Sequence, residues 1–179
     1  MNAVTLPLSA PPRRCGGFTL IELLTTVTVL VVSLALAAPA LSTFVRSNRL
    51  NATQSELVSA LMLARSEAGR LGARVGVEAK LAVASGGFGG GWRVFVDANS
   101  NGAYDGGEAV LRDAPDRGND VKVSTVSNVR AVMFSPNGFL TPASLVTFNL
   151  CGPVGVRKGY KVLLEPVGLS DVTEVTTCP

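Results

Sequence analysis

The chain has 179 residues, 16 Lys and Arg against 13 Asp and Glu for a net charge of +3, and no histidine. Without histidine, Ser-His-Asp and Cys-His catalysis and zinc sites with His ligands are excluded. The length suits one domain with one modest core, so function is sought in how the chain is organised from end to end.

The first 17 positions contain Arg13 and Arg14 and no acidic residue. An apolar run follows, FTLIELLTTVTVLVVSLALAAPAL from Phe18 to Leu41, long enough to cross roughly 30 Å of hydrocarbon as a helix. The positive-inside rule keeps the Arg13-Arg14 end in the cytoplasm and sends the remainder across. Glu22 is the only charge in the run. A carboxylate in lipid costs at least about 2.5 kcal/mol, so Glu22 marks a functional site whose partner comes from outside the segment. The small pair Gly16-Gly17 precedes the run, whereas an ordinary secretory signal places its cleavage site after it. Cleavage between Gly17 and Phe18 removes the leader, keeps the helix and creates an α-amino group close to Glu22.

Gly17-Phe18-Thr19-Leu20-Ile21-Glu22, behind a basic leader and ahead of an uncharged helix, resembles the type III signal of type IV pilins and pseudopilins. The resemblance implies cleavage after Gly17 by prepilin peptidase and N-methylation of Phe18. It also implies that Glu22 pairs with the N-terminal amine of a neighbouring subunit during filament assembly. Loss of the leader lowers Lys plus Arg from 16 to 14 against 13 acids, a mature charge of about +1. It removes Cys15 and leaves Cys151 and Cys178, an even pair in the part that faces an oxidising compartment. A disulfide between them is expected, worth roughly 3 kcal/mol on the chain-entropy model.

Pro39, among small residues, is expected to bend the helix without ending it. Beyond it, Leu50, Leu57, Leu61, Ala64, Ala68 and Leu71 recur at spacings of three, four and seven. Arg46, Arg49, Glu56, Arg65 and Glu67 fall mostly elsewhere, so this half is amphipathic. Gly69 and Gly72 mark its end, and the helix is expected from about Thr19 to Arg70. Short β-favouring segments follow, at 75–83, 92–96, 109–111, 121–126, 131–135, 145–150, 161–165 and 172–176, separated by turn residues as in a mainly antiparallel sheet. The expected organisation is a leader over 1–17, a transmembrane and assembly helix over 18–41, its amphipathic continuation over 42–72, and a β-rich periplasmic domain over 73–179. The fold class is α+β, a long N-terminal helix whose outer half packs on an antiparallel β-sheet domain.

LMLARSEA (61–68), GWRVFVD (91–97) and FSPNG (134–138) resemble the GspH/FimT family of minor pilins and pseudopilins. With the signal, the resemblance covers most of Gly17 to Cys178 and implies a type IV pilin-like fold. It implies a structural subunit of a type II secretion pseudopilus or a type IV pilus, with no enzymatic activity and no required cofactor. The implied partners are other major and minor pilin or pseudopilin subunits, prepilin peptidase and the inner-membrane assembly platform. The implied location is the inner membrane, single-pass with a cytoplasmic N-terminus and a periplasmic domain, and then the filament.

Three further stretches carry candidate chemistry. Asp97, Asn99, Asn101, Asp105 and Glu108, with Gly102 at the sharp turn, match the spacing of a calcium loop. No amphipathic helices flank them, and a polar hairpin loop is the stronger reading. Arg157, Lys158 and Lys161 form the only late basic cluster. Some FimT-like members bind DNA through an arginine-rich C-terminal turn, but the turn Pro166 to Val172 here lacks arginines. A weak phosphate contact and a solvated hairpin end are both open, the latter favoured. The run Gly86-Gly87-Phe88-Gly89-Gly90-Gly91 leads into a strand and not a helix, so it lacks the N-terminus that cradles phosphate and reads as a flexible or turn-forming connection.

Overall fold

The computed structural model describes residues 17–81, 87–118, 120–153, 156, 158–176 and 178, apart from the side chains of 38–40. The chain divides into two compact units, Met1–Ala40 and Leu41–Pro179. Helix α1, Leu20–Leu71, contributes to both. It carries Arg70 in its last turn and is followed by Gly72 at φ +62°. A left-handed residue that lacks a Cβ is the ordinary way to satisfy the last carbonyls of a helix. Pro39 lies inside α1 and does not end it; its side chain is outside the described set.

Among the described residues of the second unit, eight strands form two antiparallel sheets. Strands β1 (Arg74–Ala79), β2 (Trp92–Asp97), β3 (Val110–Asp113) and β5 (Ala131–Phe134) pair in the order β3-β2-β1-β5. Strands β4 (Lys122–Thr125), β6 (Val146–Cys151), β7 (Gly159–Leu164) and β8 (Ser170–Val175) pair in the order β4-β6-β7-β8. All eight expected segments are strands, but in two sheets where a single one was expected. Period-two alternation tells which residues share a face, not which strands are neighbours. The first strand ends at Ala79, and its expected continuation to 82–83 lies outside the described residues.

The apolar stripe of α1 explains how both sheets share one core. Leu50, Leu57, Leu61, Ala64 and Ala68 are buried in a single cluster with Val75, Val77, Trp92 and Val94 of the first sheet and Phe148, Leu150, Val162 and Leu164 of the second. Leu71, expected on this stripe, is 41% exposed, because it closes the last turn where the chain leaves the helix for β1. Polar pegs flank the stripe. Tyr160 donates to Asn51 Oδ1 at 2.9 Å, Arg112 donates to Ser59 Oγ at 3.0 Å, and Arg49 pairs with Asp120 and Arg117 with Glu56. Burial lowers the pKa of the Arg117 guanidinium.

The Gly87–Gly90 stretch is a buried 3₁₀ turn and part of the packing. Phe88 meets Phe148 edge to face with centroids 5.1 Å apart. Just after the turn, Gly91, at φ +89°, passes close to the segment after β3: a Cβ there would lie 2.6 Å from the Ala114 carbonyl oxygen.

Truncating Leu57 to Ala is expected to lower the stability of the 41–179 unit by about 2–5 kcal/mol in urea unfolding, because it empties the shared core. Met62→Ala, one turn on but exposed, is expected to change it by less than about 0.5 kcal/mol.

Candidate functional site

At the start of α1 the Thr19 hydroxyl accepts the Glu22 backbone N–H at 3.2 Å, and the Thr19 carbonyl accepts that of Leu23 at 3.1 Å. Thr19 is therefore the N-cap, and Thr19-Leu20-Ile21-Glu22 has the spacing of a capping box. The signal was present in the sequence as T-x-x-E but is hidden by the processing motif it overlaps. Among the described residues the Glu22 carboxylate makes no hydrogen bond and no ion pair, so only the threonine half of the box is formed. Phe18 is 82% exposed.

The other polar side chains between Leu20 and Ala37 are satisfied within the helix. Thr25 donates to the Glu22 carbonyl at 2.9 Å, Thr26 to that of Leu23 at 2.9 Å, Thr28 to that of Leu24 at 2.7 Å and Ser33 to that of Val29 at 2.8 Å. Such back-bonding lets a hydroxyl enter an apolar medium without an orphaned donor. This part of α1 contains an 18-residue window of mean hydropathy 2.3, none of it buried among the described residues. Glu22 is thus the one polar side chain of this stretch with no partner among the described residues. The favourable dipole of the helix N-terminus acts on it but leaves the carboxylate able to take an external cation.

Cys151, at the end of β6, is bonded to Cys178, with their Cα atoms 5.8 Å apart. The bridge passes over the start of β7, where a Cβ on Gly159 would lie 2.7 Å from Cys178 Sγ. It fastens the C-terminal tail to the second sheet.

The stretch after β2 brings Asp97, Asn99, Asn101, Asp105 and Glu108 into one loop, but their oxygens are engaged by the loop itself. Asp97 accepts the N–H groups of Asn101 and Gly102 at 3.1 and 3.2 Å. Asn99 Oδ1 accepts from Asn101 N–H and Asn101 Oδ1 from Ala103 N–H. The two oxygens of Glu108 accept from Ala98 and Asp105 N–H at 2.9 and 3.0 Å. The carboxamide nitrogens of Asn99 and Asn101 both donate to Asp105, at 2.6 and 2.7 Å, where a cation needs oxygens. Tyr104 anchors the loop on the outer face of the first sheet. Its ring meets Phe95 edge to face at 5.6 Å, and the Arg93 guanidinium lies 4.3 Å over it. Gly76, paired with both Phe95 and Met133, makes room: a Cβ there would lie 2.6 Å from each. Nothing in the sequence pattern announces this small outer core, because Tyr104 reads as one more loop residue.

Lys158 and Lys161 are not brought together. Lys158 Nζ lies 3.5 Å from the Tyr160 hydroxyl, on the face of β7 that looks toward α1. Lys161 is exposed and of opposite parity in the strand, hence on the other face. Arg157 lies outside the described residues, as does the leader through Gly16.

Tyr104→Ala is expected to lower stability by about 1–2 kcal/mol and to expose the 98–108 loop to protease. Adding about 2 mM calcium to the unaltered protein is expected to move its Tm by less than about 1 °C, since a bound ion stabilises by mass action; a rise of several degrees would show that the loop reorganises around the ion.

Comparison with known proteins agrees with this geometry. The family described as "Type II transport protein GspH" matches residues 53–168, and the prokaryotic N-terminal methylation motif matches residues 12–38. The pilin-like protein PilA1 of Thermus thermophilus is 36% identical over 142 residues, covering 75% of this chain and 83% of that protein. The fold is similar to that of the type IV minor pilin FimU of Pseudomonas aeruginosa. One crystal form gives a TM-score of 0.60 at 24% identity over 76% of this chain and 96% of that one. A second gives 0.56 at 23% over 73% and 97%. The matches are to structural filament proteins and not to an enzyme family. With its methylation motif, its long apolar helix and its two antiparallel sheets, the chain belongs to the GspH family of pilin-like proteins.

Proposed function

We propose that the chain is a minor structural subunit of a type IV pilus or type II secretion pseudopilus. It is cut after Gly17 and N-methylated at Phe18 by prepilin peptidase, with Arg13 and Arg14 holding its leader in the cytoplasm and its β-domain in the periplasm. An inner-membrane assembly platform then draws it into a filament with other pilin or pseudopilin subunits. The observation that carries this reading is Glu22, whose carboxylate has no partner among the described residues in a segment where every hydroxyl has one. A cationic amine on a neighbour's Phe18 supplies the missing charge, and a carboxylate paired in a low-dielectric medium specifies position better than it adds stability. The subunit needs no catalytic group and no cofactor, and the Asp97 to Glu108 loop acts as a polar closure over the first sheet.

DNA binding by the late basic residues draws no support from the geometry, since Lys158 and Lys161 occupy opposite faces. Salt-sensitive phosphate binding requires several cations acting together.

The test is Glu22→Gln in the full-length protein, expressed in cells that assemble the filament. Membrane-inserted protein is expected to stay within about twofold of wild type, because the helix becomes less costly to insert. Its amount in sheared filaments is expected to drop at least about tenfold, the loss of one desolvated ion pair. Wild-type incorporation of the Gln variant would sink the proposal.

A further inference from the structure

A groove of about 570 Å³ opens between the outer half of α1, the turn after β5 and the turn between β7 and β8, lined by Met62, Arg65, Asn137, Gly138, Gly168 and Leu169 among others. Both turns close through glycines in the left-handed region, Gly138 at φ +80° and Gly168 at φ +79°. Their N–H groups donate to the carbonyls of Ser135 and Glu165, each at 2.8 Å. The missing side chains make room for Arg65: a Cβ on Gly138 would lie 3.2 Å from Arg65 Nε, and one on Gly168 would lie 3.0 Å from it.

Arg65 is half-buried there and has no acceptor among the described residues. Its situation differs from that of other arginines on this domain. Arg49, Arg70, Arg74, Arg117 and Arg130 each face a carboxylate, those of Asp120, Glu67, Asp97, Glu56 and Glu78. A half-buried guanidinium whose Nε and Cδ lie beside two glycine turns, with no acceptor of its own among the described residues, is a preformed site for an oxyanion. The surroundings of the groove select which one. Met62 and Leu169 are 60% and 55% exposed, so the ligand has an apolar part. Glu165 and Asp171 stand exposed at the ends of the turn between β7 and β8 and oppose a multiply charged polyphosphate more than a single carboxylate, and a polyphosphate would find only one cation in this groove.

We infer that this groove receives a carboxylate side chain of a neighbouring filament subunit, borne beside an apolar residue that covers Met62 and Leu169. The inference rests on the subunit reading and names the surface that reading requires. A helical filament is built from heterologous contacts, in which a patch on one subunit meets a different patch on the next. An apolar rim around one buried charge pair is how such a contact acquires both affinity and register.

The experiment places benzoylphenylalanine at position 62 of the full-length protein in cells assembling the filament. After irradiation, adducts are identified by mass spectrometry, and the amount of the chain in sheared filaments is measured in parallel. The expected adduct joins the chain to a second subunit carrying a methylated N-terminus. Arg65→Met keeps the stem between the glycines and removes the charge, and Leu169→Glu leaves Arg65 in place but offers it a carboxylate in cis. Each is expected to cut the adduct at least about fivefold, with thermal unfolding of both variants recorded to show that they fold. An adduct that persists at full yield in both folded variants overturns the inference, as does one made to nucleic acid. No adduct from a chain that is present in the filament overturns it while leaving the subunit reading intact. Absence of the wild-type chain from the filament removes both.

Discussion

The stripe of Leu50, Leu57, Leu61, Ala64 and Ala68 is the surface that organises the domain, because both sheets bury their inner faces against it in one cluster. Neither four-stranded sheet has a second sheet's worth of partners of its own. Val75, Val77 and Val94 on one side and Phe148, Leu150 and Val162 on the other join one core with the helix stripe and with Phe88, which meets Phe148 edge to face. Three alanines, Ala60, Ala64 and Ala68, recur every four residues on that stripe and are fully buried, which lets the backbone of α1 come close to the strands. Arg49, Asn51, Glu56 and Ser59 then fix the rotation of the helix through the polar contacts of Asp120, Tyr160, Arg117 and Arg112.

The other end of α1 follows the opposite rule. Its apolar residues point in every direction and are exposed among the described residues, which is the pattern of a helix whose surroundings are apolar on all sides. Within that rule the hydroxyls turn inward to their own backbone, while Glu22 does not. One continuous element thus combines an apolar stretch left exposed among the described residues with a stretch that carries a folded domain. Loss of either role leaves the other without a purpose in a filament subunit.

Much of this was legible in the sequence, for physical reasons that differ by region. The apolar run, its single charge and the glycine ahead of it need no tertiary context, and the stripe on the outer half follows from helical period alone. The cysteine pair followed from compartment and parity. The two-sheet arrangement was not legible, since strands β4 and β5 swap sheets relative to chain order and alternation says nothing about pairing partners. The glycine run reads as a flexible or turn-forming connection and is a turn, but its sequence does not show that Phe88 within it is buried in the core. The Asp97 to Glu108 loop showed its acids and hid its anchor, because Tyr104 acquires meaning only against Phe95 and Arg93 across the sheet. The Arg65 groove depends on three segments far apart in sequence, and no local pattern could have announced it.

The central claim is that the helix is retained while the leader is removed, so that a free amine meets Glu22. The most direct measurement is the intact mass and N-terminal fragmentation of the chain recovered from membranes and filaments. The account predicts a mature chain of 162 residues, the 179 less the first 17, beginning at N-methylated Phe18 and holding one disulfide between Cys151 and Cys178. A chain that still begins at Met1, or one cut beyond the apolar run so that Glu22 is gone, would contradict it.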